Sequence, residues 1–255
     1  MPTIGVSIIA HNEEAQLAGA IESALFADEV VVVDCASTDR TAEIARSFER
    51  VRLYARPNDP NLNVNKSFGF EQLTTDWIFY LDPDERIPAS LAAEIRRTIA
   101  GTADNAFRLP RRNHFFGRWL AHGGQYPDTQ LRLFRRGKAR FPNKHVHESL
   151  EVEGGIGRLS EPFDHFPYPT LDDYIRKMNF YTSFQAKFWL SEGRKPGLVD
   201  SARFLFLRPA SRFLRRYLLK GGWRDGWQGY LAALGDAFQT TASYGKFLER
   251  AAREA

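Results

Sequence analysis

The sequence predicts an open α/β sheet, largely parallel in its N-terminal half, followed by a basic helical extension. Three observations carry that prediction. Apolar, β-branched runs alternate with helical patterns through the first hundred residues. Polar clusters stand directly behind several of those runs. The charge also changes sign along the chain: residues 1–100 hold 9 Lys/Arg and 16 Asp/Glu, whereas residues 101–255 hold 26 and 15.

The elements follow in order. "IGVSIIA" (4–10) reads as a buried strand, and a helical pattern runs from Glu13 to Leu25 with Asn12 available as its N-cap. "EVVVVD" (29–34) is continuous and β-branched, as a central parallel strand buried on both faces should be. A helix over about 38–48, a strand at 51–55, a helix at 63–74 and a strand at 77–82 continue the alternation. Pro88 in a first turn and Gly101 beyond the end bracket the helix "ASLAAEIRRTIA". The β-α-β order implies right-handed parallel crossovers. Past residue 101 the pattern changes: "NAFRLPR" and "TQLRLFRR" read as strands of a mixed sheet. A helix capped by Thr170, with Asp173 three residues on, runs to about Glu192 and stops at Gly193. The remainder reads as helical, interrupted at Pro209 and at Gly221-Gly222.

In open α/β sheets ligands bind outside the carboxyl ends of the strands. "AHNEE", "DCASTD" and "DPDE" all fall at such ends. Asp82, Asp84 and Glu85 crowd three carboxylates into four residues, and like charges that close repel unless water or a cation separates them. Asp82-Pro83-Asp84 has the spacing to offer two hard oxygen ligands to Mg²⁺ or Mn²⁺, with Pro83 stiffening the turn. Asp34 would either cap the following helix or accept a hydrogen bond from a base or ribose. Asp39 would favour a helix N-terminus or a ligand. No Gly-rich phosphate loop is present, so a nucleotide here needs a cation for its phosphates.

Composition narrows the class. At 43% hydrophobic and 26% charged the chain reads as globular, and its single cysteine, Cys35, excludes an intramolecular disulfide framework. No stretch approaches the ~18 uninterrupted apolar residues of a membrane span, and the N-terminal segment lacks the basic start of a signal peptide. The expectation is a cytoplasmic protein.

"VSIIAHNEE", "VVVDCASTDRT" and "WIFYLDPDE", in that order and spacing, closely resemble the family-2 glycosyltransferases of GT-A fold. "YPDTQLRLFRRGKARF", "VHESL" and "YLLKGGWRDGWQGYLAAL" resemble the bacterial branch that adds sugars to lipopolysaccharide core or other lipid-linked glycans. The resemblance implies an inverting transfer from a nucleotide sugar, usually a UDP-hexose, to an acceptor hydroxyl. It implies a GT-A catalytic domain over 1–168, with 1–100 as the nucleotide-sugar half and 101–168 as the acceptor half, and a helical region over 169–255. Glu13 and Asp34 would contact uracil and ribose, Asp82 ribose or metal, and Asp84 the divalent cation. His11, Asn12, Asp39, Asn65 and Lys66 complete the implied donor site. Cys35 stands where the family often has Ser, and His11 where it often has Tyr.

The acceptor hydroxyl needs a base on the face opposite the leaving diphosphate. Asp128, ahead of "LRLF", is the first candidate and Glu148, in "HVHE", the second. In this fold a histidine beyond the base segment can complete the cation's shell, which puts forward His147 and His165. Residues 203–224 carry seven Lys/Arg, five aromatics and no acidic residue. They read as a basic amphipathic helix suited to an anionic membrane surface, with Phe213, Leu214, Tyr217 and Leu218 on one face. A nucleic-acid partner is not expected, since no recognisable module is present. The protein would thus be peripheral to the inner face of the cell membrane. Two other readings share part of the pattern: a sugar nucleotidyltransferase, which lacks support for want of a Gly-rich loop after the first strand, and a non-catalytic peripheral membrane protein.

Overall fold

The computed structural model of the chain describes residues 1–142 and 149–254. Its first half alternates as the sequence predicts. β1 (Ile4–Ala10), β2 (Glu29–Cys35), β3 (Val51–Arg56) and β4 (Trp77–Leu81) are parallel, linked by α1 (Leu17–Ala24), α2 (Thr41–Arg46) and α3 (Leu62–Glu71). There follow β5 (Glu85–Arg86), α4 (Ala89–Ile99), β6 (Ala106–Leu109), β7 (Arg111–Phe115) and β8 (Arg118–Trp119). Then come β9 (Gln130–Arg135), β10 (Ala139–Arg140), β11 (Glu151–Val152), β12 (Ile156–Arg158) and β13 (Phe163–Tyr168). The chain ends in α5 (Leu171–Ser191), α6 (Leu198–Ala202), α7 (Arg208–Leu214) and α8 (Gly226–Glu254).

Two compact units result, Met1–Arg111 with Thr129–His165, and Arg112–Asp128 with Phe166–Ala255. The division therefore differs from a cut near residue 168: residues 112–128 cluster with the C-terminal helices rather than with the sheet. Local strand patterns carry no information about which distant segment a loop will pack on.

The first unit is built on a seven-stranded sheet in the order β12-β6-β9-β4-β1-β2-β3, with β9 antiparallel to both β4 and β6. The chain steps outward from β1 to β3, then returns to place β4 on the other side of β1. That reversal opens a crevice at the carboxyl ends of β1 and β4. The continuous valines of β2 serve two layers at once. Val30 and Val32 pack with Ile4, Ile8, Leu17 and Leu91, while Val31, Val33 and Cys35 pack with Phe70 and Phe134. Side chains alternate across a strand, so a run buried on both faces must be apolar at every position.

Burial pushes the Cys35 thiol up to about 11, with the nearby Asp34 carboxylate adding to the effect. The thiolate is the reactive form, so at pH 8 the native protein should not be labelled by a thiol-specific reagent. Labelling should appear only as β2 comes apart, which makes Cys35 a reporter of this unit's unfolding. Stoichiometric labelling of the native protein within minutes would contradict that burial.

Three local expectations are corrected. α1 begins at Leu17, not Glu13, and Asn12 is not its cap: Asn12 lies at φ 56° and its side chain serves another loop. Pro88 is the N-cap residue of α4 rather than part of its first turn. Pro209 does not interrupt its helix. A π-helical turn, Arg203–Leu207, precedes α7, and the Arg208 N–H bonds back to the Arg203 carbonyl. The wider turn gives the ring room and absorbs the missing donor.

In the second unit, β7 and β8 form a hairpin with His114 opposite Trp119. α5 begins with a complete capping box, Thr170 and Asp173 each bonding the other's backbone N–H. After α7 a second π-helical turn, Arg215–Leu219, leads to Gly221 in the left-handed region at φ 68°, where the helix ends. Phe213 and Tyr217 turn inward onto Tyr230 of α8, at centroid distances of 5.9 and 5.5 Å. The apolar face expected from 213, 214, 217 and 218 is thus split, with Leu214 and Leu218 left exposed.

Candidate functional site

The polar clusters meet at the carboxyl edge of the sheet in the first unit. The loops after β1 and β2 are zipped together by side-chain-to-backbone bonds. His11 Nδ1 lies 2.7 Å from the Cys35 carbonyl, and the Ser37 hydroxyl accepts from the Asn12 N–H at 3.0 Å. Asn12 Oδ1 accepts from the Thr38 N–H at 2.8 Å. Asp39 accepts from the Glu14 N–H and from the Thr41 N–H, and the Thr41 hydroxyl accepts from the Glu13 N–H. Asp34 is buried and accepts from the Ser37 N–H at 3.2 Å, so it closes the turn into α2. Asn12 and Ala36 both hold positive φ, 56° and 57°. For Ala36 that is a sparsely populated conformation costing on the order of 1 kcal/mol, and such strain clusters at functional edges.

The DPDE turn shows how its three carboxylates coexist. Glu85 is fully buried and Arg132 nearly so, with Arg132 Nη2 donating to Glu85 at 2.5 Å and to Asp82 at 2.8 Å. Lys66 Nζ pairs with the other oxygen of Asp82 at 3.1 Å, and Arg111 lies 3.4 Å from Glu85. Burial alone would raise the Asp82 pKa, but Lys66 and Arg132 outweigh it and hold the carboxyl well below the usual range. Burial pushes Glu85 up, against the pull of Arg132. The Arg132 guanidinium also stacks over Tyr80, 4.3 Å from the ring centroid. Arg86 ties the turn to the start of α1, donating to the Pro83 carbonyl and to both oxygens of Gln16. Gly19 on α1 leaves room for it, since a Cβ there would lie 2.6 Å from Arg86 Nε.

Asp84 points elsewhere. β13 pairs antiparallel with β5, setting His165 opposite Glu85, and this brings His165 Nε2 to 3.5 Å from Asp84 Oδ2. Among the described residues no three His, Cys, Asp or Glu side chains converge as a metal cluster. The Asp84–His165 pair nevertheless fits a divalent cation whose other ligands come from a substrate. Carboxylate plus imidazole suits Mn²⁺ better than Mg²⁺, which prefers oxygen throughout.

Of the other expected site residues, Asn65 is fully buried, away from the open edge: its amide nitrogen donates to Asn58 and Asp59, while its Oδ1 has no hydrogen-bond partner among the described residues. Asp128 lies in the second unit, where Asn113 Nδ2 donates to its carboxylate at 3.1 Å. Glu148 and His147 lie outside the described residues. Sequence reasoning missed Arg132 as part of this constellation. The signal was an arginine inside the apolar run "LRLF", which in a central strand must find a buried carboxylate.

A mixed sheet with its reversal at β1/β4, polar loops at that edge and helices behind it is the GT-A type of α/β architecture. Comparisons agree. A model of glycosyl transferase family 2 matches residues 6–150. The lipopolysaccharide core biosynthesis glycosyltransferase LpsC of Rhizobium meliloti (strain 1021) is 31% identical, over 97% of this chain and 93% of its own. The mannosyltransferase PcManGT of Pyrobaculum calidifontis, solved with GDP-Man and Mn²⁺, aligns with a TM-score of 0.56 at 14% identity, covering 97% of this chain and 87% of that one. S. aureus TarS solved with UDP-GlcNAc aligns at 0.52 and 14%, covering 98% and 89%. The chain belongs to glycosyltransferase family 2 and is a glycosyltransferase.

Proposed function

We propose that this enzyme transfers a hexose from a nucleotide sugar, a UDP-hexose by preference, to a hydroxyl of a lipid-linked glycan such as lipopolysaccharide core, with inversion at the anomeric carbon. The observation that carries the reading is the Asp84–His165 pair at the mouth of the β1/β4 crevice, beside loops rich in hydrogen-bonding groups. Support for the acceptor class comes from the relative in lipopolysaccharide core biosynthesis. Support for a nucleotide-sugar donor comes from GDP-Man and UDP-GlcNAc in the solved neighbours.

The residues divide the work. The loops after β1 and β2, with Glu13, Asp34 and Asp39, would hold base and ribose, and Lys66 would face the donor's polar groups. Asp84 and His165 would hold Mn²⁺ or Mg²⁺, which when bound offsets the charge that builds on the leaving diphosphate. Lys66 and Arg132 keep Asp82 ionised. Asp128 is the proposed base, on its place in the sequence. Its carboxylate takes the proton of the acceptor hydroxyl as that oxygen bonds the anomeric carbon, and the electron pair of the breaking C–O bond leaves with the diphosphate. Among the described residues no helix is long and apolar enough to cross a membrane. The acceptor would be met at the inner membrane surface through the basic helices after residue 203.

The test is calorimetric titration of UDP with and without Mn²⁺, paired with a transfer assay on wild type and Asp128→Asn. Metal-dependent UDP binding is expected in both proteins, with transfer falling by about 10²–10⁴ in the variant. Absence of UDP binding by the wild type in any metal would overturn the reading.

A further inference from the structure

The helix at 203–219, with its two π-helical turns, and the first four turns of α8 leave an apolar surface that packing in the second unit uses only in part, Trp227 having one ring face stacked on Phe116 at 5.6 Å. The inner face of this hairpin is complete. Tyr230 packs against Phe213 and Tyr217, and Asp236 takes both Arg212 and Arg216 at 2.5 and 2.8 Å. The turn is closed tightly by glycine: a Cβ on Gly222 would lie 2.8 Å from the Arg216 carbonyl oxygen. What remains outside includes one row on each arm, beside the exposed Phe206, Leu219 and Trp223. Leu207, Leu214 and Leu218 are 68%, 49% and 54% exposed; Trp227, Leu234 and Phe238 are 58%, 42% and 54% exposed. Both rows repeat at i, i+7, i+11, one helical face apiece. Scattered exposed leucines are ordinary, but two adjoining rows of this size are not.

We propose that the two arms form a single lipid-contacting hairpin, both rows entering the acyl boundary of an anionic membrane. The proposal rests on the membrane-surface reading above and extends it from residues 203–224 to α8. Charge selects the occupant. Residues 203–224 hold seven Lys/Arg and no acid, and the only acid from 226 to 240 is Asp236, already matched by two arginines. Asp225 is buried, with its carboxylate on His122. Arg203, Arg208, Arg215 and Lys220 are therefore offered to solvent without acidic neighbours on the hairpin. A second copy of the chain docking here would set arginine against arginine, whereas anionic headgroups complement it.

Co-sedimentation with phosphatidylglycerol/phosphatidylcholine vesicles, against phosphatidylcholine alone, decides the matter. Wild type should pellet with the anionic vesicles only. Leu214→Gln with Leu218→Gln, and separately Leu234→Gln with Phe238→Gln, should each weaken partitioning about tenfold or more, with UDP binding unchanged. Leu234→Lys alone is the second α8 variant, should the paired substitution lower the melting temperature. If wild type binds and the α8 variants bind equally well, the hairpin fails and the narrower membrane reading stands. If wild type binds no vesicle, the membrane reading fails and the hairpin with it. A wild-type dimer in solution that the α8 variants convert to monomer, without vesicle binding, would identify a second copy as the occupant and overturn the proposal.

Discussion

Arg132→Met should destabilise the first unit by about 3–5 kcal/mol, the range for stripping one partner from a buried ion pair. The reason lies in what stays behind. Glu85 is fully buried and would keep Arg111 at 3.4 Å and the Asp82 N–H at 3.0 Å but no guanidinium in close contact, and Asp82 would keep Lys66. At roughly 2–4 °C per kcal/mol for a chain of this size, the melting point should fall by roughly 6–20 °C. Labelling of Cys35 follows the loss in this unit specifically, since the thiol sits in β2. Arg132→Lys should recover little, because one ammonium cannot lie flat on Tyr80 and also reach both carboxylates. Adding Glu85→Gln to Arg132→Met should recover more than half of the loss, because it removes the stranded charge rather than restoring the pair. A single Arg132→Met variant that labels and melts like wild type would show that the cluster contributes nothing.

That cluster also marks where the sequence stopped being legible. The β1–β4 alternation could be read because each strand's pattern is local: the valines of β2 report burial on both faces without reference to anything distant. The position of DPDE was legible for the same reason, following directly from the end of an apolar run. Its solution was not, because Arg132 lies 47 residues beyond Glu85 and enters from an antiparallel strand. Periodicity identifies a strand but not its neighbour. The same limit explains Asn12, read as a helix cap on local grounds but committed to Thr38 across the gap between two loops. It explains Pro209 too, where a π-helical turn overrides a reliable local rule. His165 is the intermediate case. Resemblance to the fold and a place beyond the base segment made it a candidate, and only the pairing of β13 with β5 brings it to Asp84.

Asp84→Asn should produce the largest functional loss of any substitution at the sheet edge. Stabilisation of a leaving diphosphate by a bound cation amounts to several kcal/mol, and each 1.36 kcal/mol is about tenfold in rate. A fall in kcat/KM of about 10²–10⁴ is therefore expected, together with loss of the Mn²⁺ dependence of UDP binding. His165→Asn should act on the same quantity less severely, raising the Mn²⁺ concentration needed for half-maximal activity. Two ligands of one cation are coupled, so the double variant should lose much less than the product of the two single losses. Stability separates this account from a structural one. Asp84 is half-buried and its companion Asp82, not Asp84, is held by Lys66 and Arg132. Asp84→Asn should therefore melt within a few degrees of wild type, whereas Arg132→Met should not. Should Asp84→Asn keep the wild-type response of UDP binding to Mn²⁺, the pair with His165 is an ordinary ion pair and the metal must be sought elsewhere.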